Sequence, residues 1–257
     1  MHLEQFIRQQ RQQKDILLMS HTVLGYPSWD DNRRAIATLV QAGVELIELQ
    51  FPFSEPIADG PILLAANHAA VQSGVSVQDC LNFAAEITQQ YSQTRFVIMT
   101  YVNLLFQYGI GEFVKMAAQS RIAGCIIPDL PSEQAKNYIA MCHEQSLATI
   151  FLITPESSLE RTQQILHDTR GLAYCVARKG VTGQPTRSSH LSHQYLDRVR
   201  AVTPLPMAVG FGIQSAAAVR TLIGYADVAV IGSHAVKHYA DYGAHGLGQF
   251  IRGLRPD

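Results

Sequence analysis

Glu48, Glu55 and Asp59 stand close together in Glu48-Leu49-Gln50-Phe51-Pro52-Phe53-Ser54-Glu55-Pro56-Ile57-Ala58-Asp59-Gly60-Pro61. Glu48 interrupts an apolar run over 44–51, and Pro52, Pro56 and Pro61 stiffen the loop that follows. A carboxylate inside an apolar strand is costly to bury unless it is paired, neutralised or used. Two carboxylates brought to one strand end, in different surroundings, form a pair able to give and take protons. The same residues also describe an ion-paired strand end followed by a proline-rich turn, and spacing alone does not separate the two.

Short apolar runs that read as strands occur over 16–23, 46–51, 96–101, 124–128, 148–154, 172–177, 207–210 and 228–231. Helix-like stretches lie between them, over 30–42, 77–90, 111–120, 132–145, 158–169, 194–202 and 215–223. Pro131-Ser132-Glu133 and Ser157-Ser158-Leu159-Glu160 read as helix starts with early negative charge. Eight strand–helix units in a chain of 257 residues suit a (β/α)8 TIM barrel, although a doubly wound sheet has the same local rhythm. The even spacing and the lack of a Pro/Gly/Ser-rich linker favour one barrel domain over 1–257. The apolar piece 62–71 reads as an extra helix after strand two.

Apolar residues make up 47% of the chain and charged ones 16%, with a formal net charge of -1. No basic footprint for nucleic acid and no polybasic membrane patch is present. No apolar run is long enough to span a bilayer, and the segment 1–14, rich in Gln and Arg, lacks the apolar core of a secretory signal. Cys80, Cys125, Cys142 and Cys175 lie far apart without metal or redox spacing, which suits free thiols in a reducing cytoplasm. Ten scattered histidines offer no zinc-ligand pair.

A TIM barrel carries its chemistry at the C-terminal ends of its strands. Those ends offer Glu48 with Asp59, Tyr101 with Asn103, Asp129, Tyr174, the loop Arg178-Lys179-Gly180-Val181-Thr182-Gly183, Gly210-Phe211-Gly212 and Gly232-Ser233. Small residues after strands seven and eight let backbone N–H groups approach a phosphate, with a hydroxyl from Ser233 where a helix begins. The glycine-rich loop reads either as a lid over a phosphorylated substrate or as an ordinary surface loop. Asp129 reads as a cap for the helix that follows it. His21, in an apolar strand, reads as a satisfied core histidine, and Tyr174 as a core aromatic.

Taken in order, these segments resemble the tryptophan synthase alpha subunit family. The resemblance runs over about residues 16 to 237 and rests on Glu48-Leu49, Pro52 to Pro61, Tyr101 with Asn103, Pro128-Asp129-Leu130-Pro131, Arg178 with Gly180-Val181-Thr182-Gly183, Gly210-Phe211-Gly212-Ile213 and Gly232-Ser233. It implies a lyase that cleaves indole-3-glycerol phosphate to indole and glyceraldehyde 3-phosphate in tryptophan biosynthesis. It implies Glu48 as the group that moves protons and Asp59 as the anion that binds the indole N–H. Tyr174 and Phe211 would line the indole pocket, Thr182 would belong to the lid, and Gly183, Gly212, Gly232 and Ser233 would surround the phosphate. No metal or organic cofactor is implied on this chain. Pyridoxal phosphate would sit on a beta subunit, in an α2β2 heterotetramer in the cytoplasm.

The chain departs from the family pattern at four places. Gln50 stands where the family has Gly, His21 where it usually has an apolar residue, Leu64 for a frequent Gln and Lys179 for a small lid residue. These departures keep open an alpha-like subunit with weak or no catalysis that activates a beta partner. A different phosphate-binding barrel enzyme is the other alternative, since fold does not dictate chemistry.

Overall fold

A computed structural model describes residues 2–176, 193–210 and 212–255. Strands β1 (Leu17–Val23), β2 (Leu46–Gln50), β3 (Arg95–Met99), β4 (Gly124–Ile126), β5 (Ala148–Ile150), β6 (Leu152–Ile153), β7 (Ala173–Val176), β8 (Met207–Gly210) and β9 (Val228–Ile231) form one parallel sheet. Its order is β5-β4-β3-β2-β1-β9-β8-β7-β6. The two ends of that order, β5 and β6, are separated in sequence by Phe151 alone, so the sheet curls into a nearly closed barrel. The strand expected over 148–154 is therefore two short ones, because its first half pairs with β4 and its second with β7.

Around the barrel lie α1 (Leu3–Arg11), α2 (Trp29–Gln41), α3 (Pro61–Gln72), α4 (Val77–Gln90), α5 (Val102–Tyr108), α6 (Ile110–Gln119), α7 (Lys136–Glu144), α8 (Leu159–Asp168), α9 (His193–Arg200), α10 (Ala216–Arg220) and α11 (Ser233–Leu254). Of the two expected helix starts, the one at Ser158 is capped, whereas Pro131-Ser132-Glu133 opens only a short 3-10 turn without a side-chain cap, and the helix begins at Lys136. Ser76 and Asp79 cap each other at the head of α4, Ser158 accepts the Arg161 N–H at α8, and Ser215 accepts the Ala218 N–H at α10. The extra helix after strand two is α3, with Pro61 in its first turn, where no backbone donor is needed.

Side-chain alternation along the strands builds two cores. Leu18, Ile47, Leu49, Ile98, Val209 and Ile231 point outward against the helices. Leu17, Met19, Leu46, Val97, Met99, Val228 and Val230 fill the barrel interior. The N-terminal end of that interior is closed by α1, which the polar composition of the first residues conceals. Leu3, Phe6 and Ile7 lie on one face at helical spacing and are buried among the interior residues. Burial of three such side chains, at about 1.5–3 kcal/mol each, holds a nine-residue helix that would be marginal alone in water. The four cysteines are free and buried.

Candidate active site

The inward positions of β1 include His21 near its end, and those of β2 end in Glu48 and Gln50. The parallel register sets His21 beside Glu48 and Val23 beside Gln50, towards the C-terminal end of the barrel. Asp59 returns to the same place on the loop before α3. The side chains form an unbroken line. His21 Nδ1 lies 3.2 Å from Glu48 Oε1, His21 Nε2 lies 2.7 Å from Gln50 Oε1, and Gln50 Nε2 donates to Asp59 Oδ2 at 2.5 Å. All four are buried, Glu48 at 4% exposure and Asp59 at 7%. Glu48 Oε2 has no hydrogen-bond partner among the described residues.

Two further groups fix the acidic loop. Asn67, on the inner face of α3, donates to Asp59 Oδ2 at 3.2 Å and to the Leu63 carbonyl at 2.8 Å, and accepts the Phe53 N–H at 3.0 Å. Tyr101, fully buried after β3, accepts the Ala58 N–H at 3.3 Å and stacks on Phe53 with ring centres 5.1 Å apart. Its hydroxyl faces Asp59, and burial followed by that carboxylate pushes the phenol far above its ordinary range.

The electrostatics follow from this dry setting. Burial raises the pKa of Asp59, against the opposing effects of Gln50, His21 and Tyr101. Burial also opposes charge on His21, but Glu48, then Asp59 and Gln50, outweigh it and hold the ring above its ordinary value. Tyr174, in β7, is pushed well above its usual range by burial and then by the neighbouring Glu48 and Asp59 carboxylates. The phenol thus stays protonated beside them.

Three of the expected phosphate residues, Gly212, Gly232 and Ser233, lie on the same rim. Gly212, just past β8, takes a φ of +63°, which favours glycine, and a Cβ built there would meet nothing within 4 Å among the described residues. Gly232 follows β9 directly, and Ser233, buried, opens α11. A helix N-terminus with small residues is thereby presented at the barrel mouth. Thr182, Gly183 and Phe211, together with Arg178 and Lys179, lie outside the described residues.

Three sequence expectations change. Asp129 caps α5, accepting the Val102 N–H at 2.9 Å, and not the helix that follows it. Strand ends three and four are neighbours in the barrel, so the nearer orphan N–H belongs to the preceding unit. Glu55 points to solvent and leaves the acidic pair to Glu48 and Asp59. Leu64 is exposed on α3 at 37% and takes no part in the line of buried groups. Asn67 escaped notice, though its signal was present: one amide among Leu63, Ala66 and Ala70 on the buried face of a helix.

A model of the tryptophan synthase alpha chain family matches residues 7–248. The chain belongs to that family. It is 46% identical to the tryptophan synthase alpha chain of Desulforapulum autotrophicum over 252 residues, covering 98% of this chain and 99% of that one. It is 44% identical to the alpha chain of Syntrophotalea carbinolica, covering 98% and 100%. Among solved structures, one of tryptophan synthase from Mycobacterium tuberculosis superposes with a TM-score of 0.91 at 31% identity, over 98% of this chain and 96% of that chain. The tryptophan synthase A-subunit of Pyrococcus furiosus gives 0.83 at 27%, over 94% and 98%. In this alpha chain the two family departures of β1 and β2, His21 and Gln50, are the very residues that connect Glu48 to Asp59.

Proposed function

We propose that the barrel mouth cleaves indole-3-glycerol phosphate to indole and glyceraldehyde 3-phosphate, as a carbon–carbon lyase late in L-tryptophan biosynthesis. The observation that carries this reading is the buried pair Glu48 and Asp59, joined at the C-terminal rim of an alpha-chain barrel. Breaking the bond between indole C3 and the side chain needs a proton on C3, which places positive charge on the ring nitrogen. It also needs removal of the proton from the adjacent hydroxyl, which becomes the aldehyde. Glu48 moves both protons through its unpartnered Oε2. Asp59, as an anion, accepts the indole N–H and stabilises the charge growing there, an effect strengthened by its dry surroundings.

Tyr174 and Phe211 line the ring. Gly212, Gly232 and Ser233 receive the phosphate at the head of α11, where backbone N–H groups favour an anion. Thr182 and Gly183 close the loop over the substrate. The chemistry asks for neither metal nor organic cofactor on this chain. Pyridoxal phosphate belongs to a beta subunit that takes up the indole, in an α2β2 assembly in the cytoplasm. Ile57, 72% exposed on the acidic loop, and Phe106, 64% exposed on α5, support a partner docked at this rim.

The test is indole release from indole-3-glycerol phosphate by the purified chain, with and without a beta subunit from the same source. Release should rise with the partner and fall by at least about a hundredfold in Glu48→Gln. A well-folded Glu48→Gln protein with unchanged release would remove Glu48 from the mechanism.

A further inference from the structure

The line from Phe53 to Glu48 determines where each proton sits. The Phe53 N–H can donate only to an oxygen, which fixes the Asn67 amide with Oδ1 at that N–H and its NH2 group at Asp59 Oδ2. With Asp59 as an anion, Oδ2 is an acceptor, so Gln50 presents its NH2 group to it as well. The Gln50 Oε1 then faces His21 Nε2 at 2.7 Å, and that nitrogen must carry a hydrogen. The remaining ring nitrogen, Nδ1, is the one 3.2 Å from Glu48 Oε1.

A neutral ring with its hydrogen on Nε2 turns a bare lone pair toward Glu48. That contact is favourable only if one proton lies between the two groups, on Glu48 or on Nδ1. We propose that His21 and Glu48 share a single proton, with the His21 tautomer imposed by Asn67, Asp59 and Gln50, so that His21 is a positioning residue for acid–base catalysis. The inference rests on the reading of Glu48 as the group that moves protons. Among the described residues, the groups facing His21 and Glu48 are Gln50 from β2, Asp59 from the acidic loop and Tyr174 from β7, with Tyr101 behind Asp59, and none is a cation.

The arrangement suits a reaction that takes in one proton and releases one. When the shared proton passes through Glu48 to indole C3, a C–H bond forms and the pair is left one proton short. The bond from C3 to the side chain then breaks, its electrons returning to the indole ring and neutralising the ring nitrogen. The side-chain hydroxyl loses its proton to the Glu48–His21 pair as its O–H electrons become the carbonyl bond. The pair ends in its starting state. In a chain where Gln50 occupies the position of a glycine, His21 offers Glu48 a second place to hold the proton.

The experiment is nitrogen NMR of the full chain labelled with 15N-histidine, with the His21 signals assigned by their loss in His21→Phe. The expected ring keeps hydrogen on Nε2 throughout, while Nδ1 titrates with a midpoint above 6.5, the ordinary value. Glu48→Gln should lower that midpoint, and Gln50→Gly should release the neutral ring into a mixture of tautomers. A neutral ring with its hydrogen on Nδ1, or a midpoint unmoved by Glu48→Gln, would overturn the proposal. In the indole-release assay with the beta partner, His21→Phe should lower kcat about tenfold or more without raising KM, and shift the alkaline limb of the kcat profile. An unshifted limb would also overturn it. Turnover in Glu48→Gln tests the role of Glu48 in cleavage, whereas the ring titration tests the shared proton without any turnover. The two readings can therefore fail separately.

Discussion

Glu45, just before β2, and Glu48, three positions further on within it, are both 4% exposed, and they are treated in opposite ways. At the N-terminal end, both oxygens of Glu45 are occupied. Oε1 meets Lys14 at 2.5 Å and Arg255 at 2.9 Å, and Oε2 accepts the Leu18 N–H at 2.8 Å. This carboxylate ties the segment before β1 and the residue after α11 to the base of the barrel. Further along the strand, Glu48 meets a histidine through one oxygen and leaves the other without a partner among the described residues. A buried carboxylate with cations and a backbone donor holds the fold together. One left open at the C-terminal rim is available for a reaction.

The contrast is broken most sharply at Asp59. Asp59→Asn removes the anion proposed to meet the indole nitrogen, and indole release should fall by about 100-fold to 1000-fold, the scale seen when one preorganised electrostatic group is lost. Because burial raises the Asp59 pKa, its charge is disfavoured in the folded state. Urea denaturation at neutral pH should therefore show the variant no less stable than the parent. A variant that lost stability and kept its rate would reverse the assignment of the two ends.

Glu45→Ala should do the opposite. It should lower the unfolding free energy by about 2–3 kcal/mol, as read from the denaturation midpoint, and leave kcat of the folded protein unchanged. The loss stays below the cost of a fully buried pair because Lys14 and Arg255, at 38% and 26% exposure, regain water. The smallest effect is in the pH dependence. His21 has its pKa raised in the fold, so it contributes stability below its ordinary value of 6.5, and that contribution fades as pH rises through the higher native value. Stability measured from mildly acid to alkaline pH should decline more in the parent than in His21→Phe, and equal slopes would argue against a charged ring in the native state.

Much of the barrel was legible because strand and helix periods differ and because caps are local. Ser76 with Asp79, Ser158 and Ser215 begin helices where the sequence places them. The first helix was hidden, since its stability comes from Leu3, Phe6 and Ile7 reaching the barrel interior rather than from its own composition. Asp129 was legible as a cap, but its partner belongs to a neighbouring strand end that is distant in sequence.

The site divides along the same line. The sequence alone determined the family, the barrel and the two carboxylates, because those rest on residue types and their order. It also marked His21 and Gln50 as departures from the family pattern, which kept open a subunit with weak or no catalysis. That the two form one link between Glu48 and Asp59 was decided by the parallel register of β1 and β2 and by the return of the acidic loop, held by Asn67 and Tyr101. A hydrogen bond depends on distance and direction across segments, and only the folded chain brings residues 21, 50, 59 and 67 within its reach.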